Sequence, residues 1–221
     1  MKKNKKFLIF GGVAFFVAIL FTILVKFVDV AKAGATLTEV GFSKFNSAIF
    51  DFFAPSDIMY KITNYVEYLV LLTAAGYATY GLVQLLKYKK ITKIDRGILA
   101  LGGLFLAVIL CYVIFEKLAI NYRPVWIDGE LEASFPSSHT MITLCICAGI
   151  VLLNRTFYAE NKKLKSLNYA LIFLAAFIVF GRFLSGVHWA TDIIGGILWA
   201  TTLIFFYEHA LKLLSQKKAK K

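Results

Sequence analysis

The sequence alternates between long apolar runs and short polar stretches. Six apolar segments lie at about 7–28, 62–86, 97–117, 138–154, 167–184 and 188–210. A helix of roughly 20 apolar residues crosses a bilayer, and a spanning segment must be helical because a helix satisfies its own backbone polar groups. There is no internal repeat. The pattern predicts an all-α membrane protein, a six-transmembrane-helix bundle that forms one domain over residues 1–221.

Residues 36–53 form a different kind of segment, between the first and second spans. Its apolar residues recur at helical spacing, namely Phe42, Phe45, Ile49, Phe52 and Phe53. Lys44, Ser47 and Asp51 fall on another face. This spacing predicts an amphipathic helix in the outer membrane interface, where it could gate a lipid headgroup. A loop helix packed on the spans fits the same pattern equally well.

Composition agrees with a membrane protein. The hydrophobic fraction is 59% and the charged fraction 17%, whereas soluble domains are about 45–50% apolar. The net charge of +12 could indicate nucleic acid binding, but the basic residues lie in four short blocks between apolar runs. Blocks of this kind fix membrane topology. We therefore expect no nucleic acid partner.

The distribution of charge also predicts the orientation. With the amino terminus inside, both termini and the loops at 87–96 and 155–165 are cytoplasmic. These regions hold 18 of the 25 Lys and Arg residues and 3 of the 13 acidic residues. The bias follows the positive-inside rule. We therefore expect a multi-pass protein of the cell membrane. Its small size and lysine-rich loops suggest a bacterial source.

The amino-terminal segment has a second interpretation. Lys2–Lys6 precede an apolar run, and Ala31-Lys32-Ala33 resembles a signal-peptide cleavage site. The run is longer than the 7–15 apolar residues usual in a signal peptide. The sequence therefore favours a retained first span.

Polar residues gather where four of the spans end. The uninterrupted apolar parts Met141–Leu153 and Ile193–Tyr207 are too short to span a bilayer. They reach full length only if Ser137–His139 and His188–Asp192 form their first turns. In the predicted topology these turns lie at the outer surface, together with Lys117, Arg123 and Arg182. Ionisable residues at such depth usually mark a functional site.

These side chains suit a phosphoryl group. Arg123 and Arg182 can each present a planar fork to phosphate oxygens, and Lys117 adds a point charge. Pro136-Ser137-Ser138 opens a helix whose free N–H groups favour an anion. Alone, the serines would be read as helix caps and Arg182 as a residue that extends towards lipid headgroups.

The histidines supply the candidate chemistry. His188 and Asp192 are four residues apart and share a helix face, so the carboxylate can hold one ring N–H while the other nitrogen attacks phosphorus. His139 can then protonate the leaving oxygen. The sequence has no carboxylate cluster with metal-ligand spacing, which predicts turnover without a metal or other cofactor.

Three motifs in this order carry a family resemblance. They are Lys117 with Arg123-Pro124, then Pro136-Ser137-Ser138-His139, then Arg182 with His188 and Asp192. Over about residues 97–200 the chain resembles the type-2 phosphatidic acid phosphatase superfamily, whose signature the vanadium-dependent haloperoxidases share. The resemblance implies a helical bundle, a lipid phosphate substrate and a phosphohistidine intermediate.

The resemblance also implies a role for each matching residue. It assigns the nucleophile to His188, the orienting carboxylate to Asp192 and acid–base work to His139. It assigns phosphate binding to Lys117, Arg123, Ser137, Ser138 and Arg182.

Three positions depart from the signature. Five residues, not six, separate Lys117 from Arg123, and one residue turns a helix by about 100°. Ser138 stands where glycine is usual, and Gly181 stands where serine is usual. The first departure concerns whether Lys117 points to the phosphate, and the others alter phosphate contacts more than the chemistry.

The sequence therefore predicts hydrolysis of a lipid phosphate monoester or diphosphate that arrives from the outer leaflet. A phosphotransferase that uses the same histidine remains an alternative, as does a non-enzymatic lipid-binding or transport protein. A haloperoxidase fits the membrane spans less well. The lipid, the oligomeric state and the roles of Glu67 and Glu116 stay open.

Overall fold

The structure is a computed structural model that describes residues 2–53 and 55–219. Its helices are α1 (Lys2–Phe27), α2 (Ser43–Phe53), α3 (Asp57–Tyr88), α4 (Arg96–Leu118), α5 (Ser138–Phe157), α6 (Lys162–Ser185) and α7 (Ala190–Ala219), with a 3-10 turn at Ile91–Lys93. Within the described ranges, six helices are long and apolar enough to cross a membrane. Only α2 among the seven is too short. The predicted all-α six-span fold is confirmed.

Several helices begin before their apolar parts because a polar residue caps the first turn. The Ser56 hydroxyl accepts from the Met59 N–H at 3.4 Å, so α3 starts at Asp57. The Asn161 side chain accepts from the Lys163 N–H at 3.0 Å, so α6 starts at Lys162. Such caps satisfy N–H groups that have no partner inside the helix. They account for the difference between these helices and the shorter apolar segments.

The prediction of a helix over 36–53 is wrong for its first residues. Residues 31–33 (β1) and 38–40 (β2) pair as an antiparallel hairpin in which Lys32 faces Glu39. Gly34 supplies the positive φ of 70° that the turn requires. Thr36, Thr38 and Val40 alternate with a period of two, which favours a strand over a helix. The helix begins only at Ser43.

The amphipathic helix α2 packs on the start of α7 through its polar side. The Asn46 amide donates to the Thr191 hydroxyl at 2.9 Å, and its oxygen accepts from the Thr191 N–H at 3.2 Å. Phe52, on another side of α2, is 80% exposed. The helix therefore covers the connection between α6 and α7 and presents aromatic side chains outward.

The core lies around α5, which packs against α4, α6 and α7. Its buried residues include Met141, Ile150 and Leu153. Gly149 brings α4 close, since a Cβ there would lie 2.6 Å from Leu104 Cδ2. α1 lies along α7. At one end of this bundle, here called the site end, α4 and α6 finish and α5 and α7 begin.

Candidate active site

The site end brings together side chains from five places in the chain. His139 lies in the first turn of α5 and Asp192 in the first turn of α7. Arg182 lies in the last turn of α6, and His188 lies in the connection that leads into α7. Arg123 belongs to the loop between α4 and α5. These five sequence-predicted residues meet at the same end of the bundle.

His188 is buried at the site end, just before α7. It is 5% exposed, and its Nδ1 lies 3.8 Å from Asp192 Oδ2. Neither ring nitrogen has a hydrogen-bond partner of good geometry among the described residues. Burial lowers the pKa of His188 well below its ordinary value, and the neighbouring Arg123, His139 and Arg182 lower it further. The imidazole of His188 is therefore neutral, with a lone pair free on one ring nitrogen.

Asp192 closes the first turn of α7 as well as facing His188. Its Oδ2 accepts from the Trp189 backbone N–H at 2.9 Å, which fixes the residue next to His188. Its Oδ1 accepts from Asn121 Nδ2 at 3.4 Å. The 3.8 Å separation from His188 is an ion-pair distance, longer than the predicted hydrogen bond. Sequence reasoning missed Asn121 because a lone Asn in a loop carries no signal.

Arg123 is buried beside His188 and is held by an acid of its own loop. Its Nε lies 2.9 Å from Glu132 Oε2. Its Nη1 donates to the backbone carbonyl of Val187, the residue before His188, at 3.5 Å. No sequence motif indicated Glu132, which is the partner of Arg123 in the structure. This pairing positions one guanidinium close to His188.

Arg182 is completely buried and only partly satisfied. Its Nη2 donates to Asn64 Oδ1 and lies 3.7 Å from Glu67 Oε2. Its Nε and Nη1 have no partner among the described residues. Buried guanidinium donors without acceptors are costly, and phosphoryl oxygens are the acceptors that best match them.

His139 contacts a carboxylate that the sequence analysis left unassigned. Its Nδ1 hydrogen-bonds Glu67 Oε2, and it lies 3.0 Å from Arg182 Nη2. Glu67 itself is buried and comes from α3. The sequence indicated only that Glu67 could pair with a nearby cation. Glu116, the other open acid, is exposed on α4.

Ser137, Ser138 and Lys117, which the resemblance assigns to phosphate binding, differ in where the structure places them. Ser137 caps α5 by accepting from the Thr140 N–H at 3.4 Å, and its own N–H donates to the Asp192 carbonyl at 2.9 Å. Ser138 is half-buried as the first residue of α5. Lys117 is exposed in the last turn of α4. No hydrogen bond or ion pair within the described chain joins it to the site, so its role stays a prediction without geometric support.

Gly181, which replaces the usual serine, is explained by its neighbour on α3. A Cβ at this position would lie 2.4 Å from Thr63 Cγ2. A serine would therefore need α3 and α6 to separate. The close approach at Gly181 is what brings Asn64 and Glu67 of α3 against Arg182.

Two tryptophans near the site differ in exposure. Trp189 is 1% exposed, its Nε1 donates to the Tyr122 carbonyl at 2.8 Å, and its ring packs on Phe50. These contacts hold the residues on either side of Trp189 in place. Trp126 is 52% exposed, as expected for a residue at the membrane interface.

The comparisons with known proteins agree with this constellation. The sequence matches the family model described as PAP2 superfamily over residues 100–214. The chain belongs to the PAP2 superfamily. The match confirms the resemblance inferred from the three motifs, and all eight predicted site residues fall within it.

A solved PAP2 structure has a similar fold. It is the crystal structure of the first transmembrane PAP2-type phosphatidylglycerolphosphate phosphatase from Bacillus subtilis. The two share 16% sequence identity with a TM-score of 0.61, over 96% of each chain. At this identity the likeness concerns the fold. No curated protein matches the sequence.

The PAP2 chain is therefore a multi-pass membrane protein of a phosphatase family. Among the residues that the structure describes, no three His, Cys, Asp or Glu side chains group closely enough to hold a metal ion. Independence from metals stays a prediction, to be tested with a chelator.

Proposed function

We propose that this PAP2 protein hydrolyses a lipid phosphate monoester or diphosphate through a phosphohistidine on His188. The observation that carries the proposal is a buried, neutral imidazole between two buried guanidinium groups. A neutral imidazole is a nucleophile, whereas a protonated one is not. Arg123 and Arg182 supply positive charge where the transition state of phosphoryl transfer spreads negative charge.

The first chemical step joins one ring nitrogen of His188 to phosphorus. The P–O bond to the lipid breaks as the N–P bond forms, and His139 gives a proton to the leaving oxygen. In the second step His139 takes a proton from water, whose oxygen attacks phosphorus. The N–P bond then breaks and inorganic phosphate leaves. Asp192 stabilises the positive charge that develops on the imidazole of His188.

The position of the site supports a lipid substrate and an extracytoplasmic active site. The reactive groups lie at helix ends, where a headgroup can reach them while its tail stays in the bilayer. Four lysine- and arginine-rich blocks lie at the other end of the bundle. The positive-inside rule supports a cytoplasmic position for those blocks and an extracytoplasmic position for the site.

Trapping of the intermediate tests the proposal. The detergent-purified protein is incubated with a ³²P-labelled lipid phosphate, in the presence of a chelator, and quenched in alkali, where phosphohistidine survives. We expect label on the wild type and none on a His188→Ala variant. The matched control is His209→Ala, because His209 lies 17 residues beyond Asp192 in α7, about 26 Å along the helix.

Product analysis completes the test. Release of inorganic phosphate identifies a hydrolase, whereas a phosphorylated product formed with an added lipid alcohol identifies a phosphotransferase. A transport or lipid-binding protein would form no adduct. Full turnover in His188→Ala would refute the proposed mechanism.

A further inference from the structure

Glu67 is a buried acid in the middle of the site whose role the signature motifs do not cover. It lies on α3, outside the segment that matches the family model. It is only 6% exposed in a helix long enough to span the membrane. An ionisable side chain in such a place is costly unless it is paired, and it usually marks a function.

Both carboxylate oxygens of Glu67 have partners. Oε2 accepts from His139 Nδ1 and lies 3.7 Å from Arg182 Nη2. Oε1 accepts from the Thr143 hydroxyl at 3.3 Å. Thr143 lies one turn beyond His139 on α5. The carboxylate thus links α3 to α5 and α6. Its two contacts on α5, His139 and Thr143, lie on the same face of that helix.

The contacts determine which nitrogen of His139 faces the reaction. A carboxylate only accepts hydrogen bonds, so Nδ1 carries a hydrogen directed at Glu67. The N–H groups of Arg182 and His139 point to the same oxygen, which makes them neighbours and not a donor–acceptor pair. Nε2 is left as the nitrogen that can exchange a proton with substrate or water.

The charge of Glu67 matters as much as its geometry. The groups that face His139 from the other elements are Arg182 on α6, and His188 with Arg123 nearby. The start of α5 adds the positive end of a helix dipole. Arg182 and Arg123 bring positive charge to this part of the site, and Glu67 is the anion in direct contact with the imidazole.

We propose that Glu67 is a positioning residue that keeps His139 protonated at Nδ1 and ready to act as the general acid at Nε2. The proposal rests on the proposed function. The leaving alkoxide takes the Nε2 proton as the P–O bond breaks, and the attacking water returns a proton to Nε2 as the N–P bond breaks. Each histidine has its own carboxylate, Asp192 for His188 and Glu67 for His139. In this proposal His188 acts as a neutral nucleophile, whereas His139 acts as a protonated general acid.

Substitution of Glu67 by Gln tests the proposal through the leaving group. Gln keeps an amide oxygen for Nδ1 but removes the charge. A lipid alcohol is a poor leaving group that needs a proton, whereas 4-nitrophenolate is a good one. For Glu67→Gln we expect kcat on phosphatidate in micelles to fall about 100-fold, at the low end of general acid catalysis. With 4-nitrophenyl phosphate the fall should be under about tenfold.

The pH profile gives a second readout. Gln removes the negative charge that contacts His139, so the alkaline limb of kcat on phosphatidate should move to lower pH. Glu67→Asp keeps the charge, and it should keep the wild-type position of that limb at a reduced rate. Glu116→Gln, the same change at an exposed acid of α4, serves as the control.

The outcomes separate this proposal from the proposed function. An equal fall of kcat on both substrates with an unmoved pH profile would make Glu67 merely structural and overturn the proposal. If Glu67→Gln fails to fold, the pH profile of Glu67→Asp decides. This variant keeps the negative charge, so a shift of its alkaline limb would also contradict the proposal. Failure of the proposed function appears separately, as wild-type protein that releases no phosphate from phosphatidate.

Discussion

At the scale of single residues, the two histidines of the site owe their different roles to their surroundings. His188 is buried with cations around it and has an acid 3.8 Å away. His139 is half-buried and hydrogen-bonded directly to Glu67. In the proposed mechanism, the buried His188 serves as the nucleophile, and His139, in contact with a carboxylate, serves as the acid.

The lowered pKa of His188 predicts how stability depends on pH. In the unfolded chain an ordinary histidine binds a proton below about pH 6.5, but in the folded protein His188 stays neutral to lower pH. The unfolded state therefore binds more protons, and stability falls as the pH drops below about 6.5.

We expect the unfolding temperature in detergent to drop between pH 7 and pH 5, and to drop less in a His188→Asn variant. The variant retains a planar polar side chain that does not titrate. Thermal unfolding followed by tryptophan fluorescence at both pH values measures the difference. An equal drop in the two proteins would mean that His188 titrates normally in the folded state.

At the scale of secondary structure elements, the site depends on how closely α5 and α7 approach at their first turns. The Ser137 N–H donates to the Asp192 carbonyl at 2.9 Å, which fixes the start of one helix to the other. Gly196 permits this approach, since a Cβ there would lie 2.9 Å from the Ser137 carbonyl oxygen and 3.0 Å from Thr140 Cβ. His139 and His188 keep their separation through these contacts.

A Gly196→Ala substitution should therefore impair catalysis more than folding. The added methyl must displace the backbone of Ser137, and a misplacement of about 1 Å can cost roughly 100-fold in rate. We expect kcat on a lipid phosphate to fall by about that factor. Gly76→Ala is the matched control, because a Cβ at Gly76 meets nothing within 4 Å. Equal activity in both variants would show that the interface tolerates the methyl group.

Sequence patterns predicted elements better than the contacts between them. The spacing of apolar residues predicted the six spans, because a bilayer requires long apolar helices. The signature motifs predicted His139, His188 and the two arginines. The partner of His139 could not be predicted, since Glu67 is 72 residues away and reaches it only through the packing of α3 on α5 and α6.

Two further limits of sequence patterns, at the hairpin and at Lys117, have local physical causes. The β1–β2 hairpin contains alternating residues in a stretch of only ten, too short for a clear period. The position of Lys117 depends on where α4 ends, and Ala119 ends it in a left-handed conformation. A motif read from sequence fixes the spacing along the chain but not the direction of a side chain near a helix end.

At the scale of the whole molecule, the family model and the fold extend over different parts of the chain. The PAP2 model matches residues 100–214, whereas the similar solved structure covers 96% of the chain. α3 lies outside the family match, yet it supplies Asn64 and Glu67 to Arg182. The part of the chain before residue 100 is therefore part of the site as well as of the membrane domain.

The two ends of the bundle should lie on opposite sides of the membrane, and paired cysteine variants can test this. Glu130, in the loop between α4 and α5, and Glu160, between α5 and α6, are both exposed acids and lie at opposite ends. Each is changed to Cys in a background in which the three native cysteines, Cys111, Cys145 and Cys147, are replaced by Ala.

Intact cells are then treated with a membrane-impermeant maleimide. Because the basic blocks favour a cytoplasmic position for the Glu160 end, we expect Glu130→Cys to be labelled in intact cells and Glu160→Cys only after lysis. Labelling of both variants after lysis controls for reactivity. The reverse pattern would put the site on the cytoplasmic side, so the lipid would have to reach His188 from the inner leaflet. The result of the trapping experiment would not change, because that experiment uses detergent-purified protein.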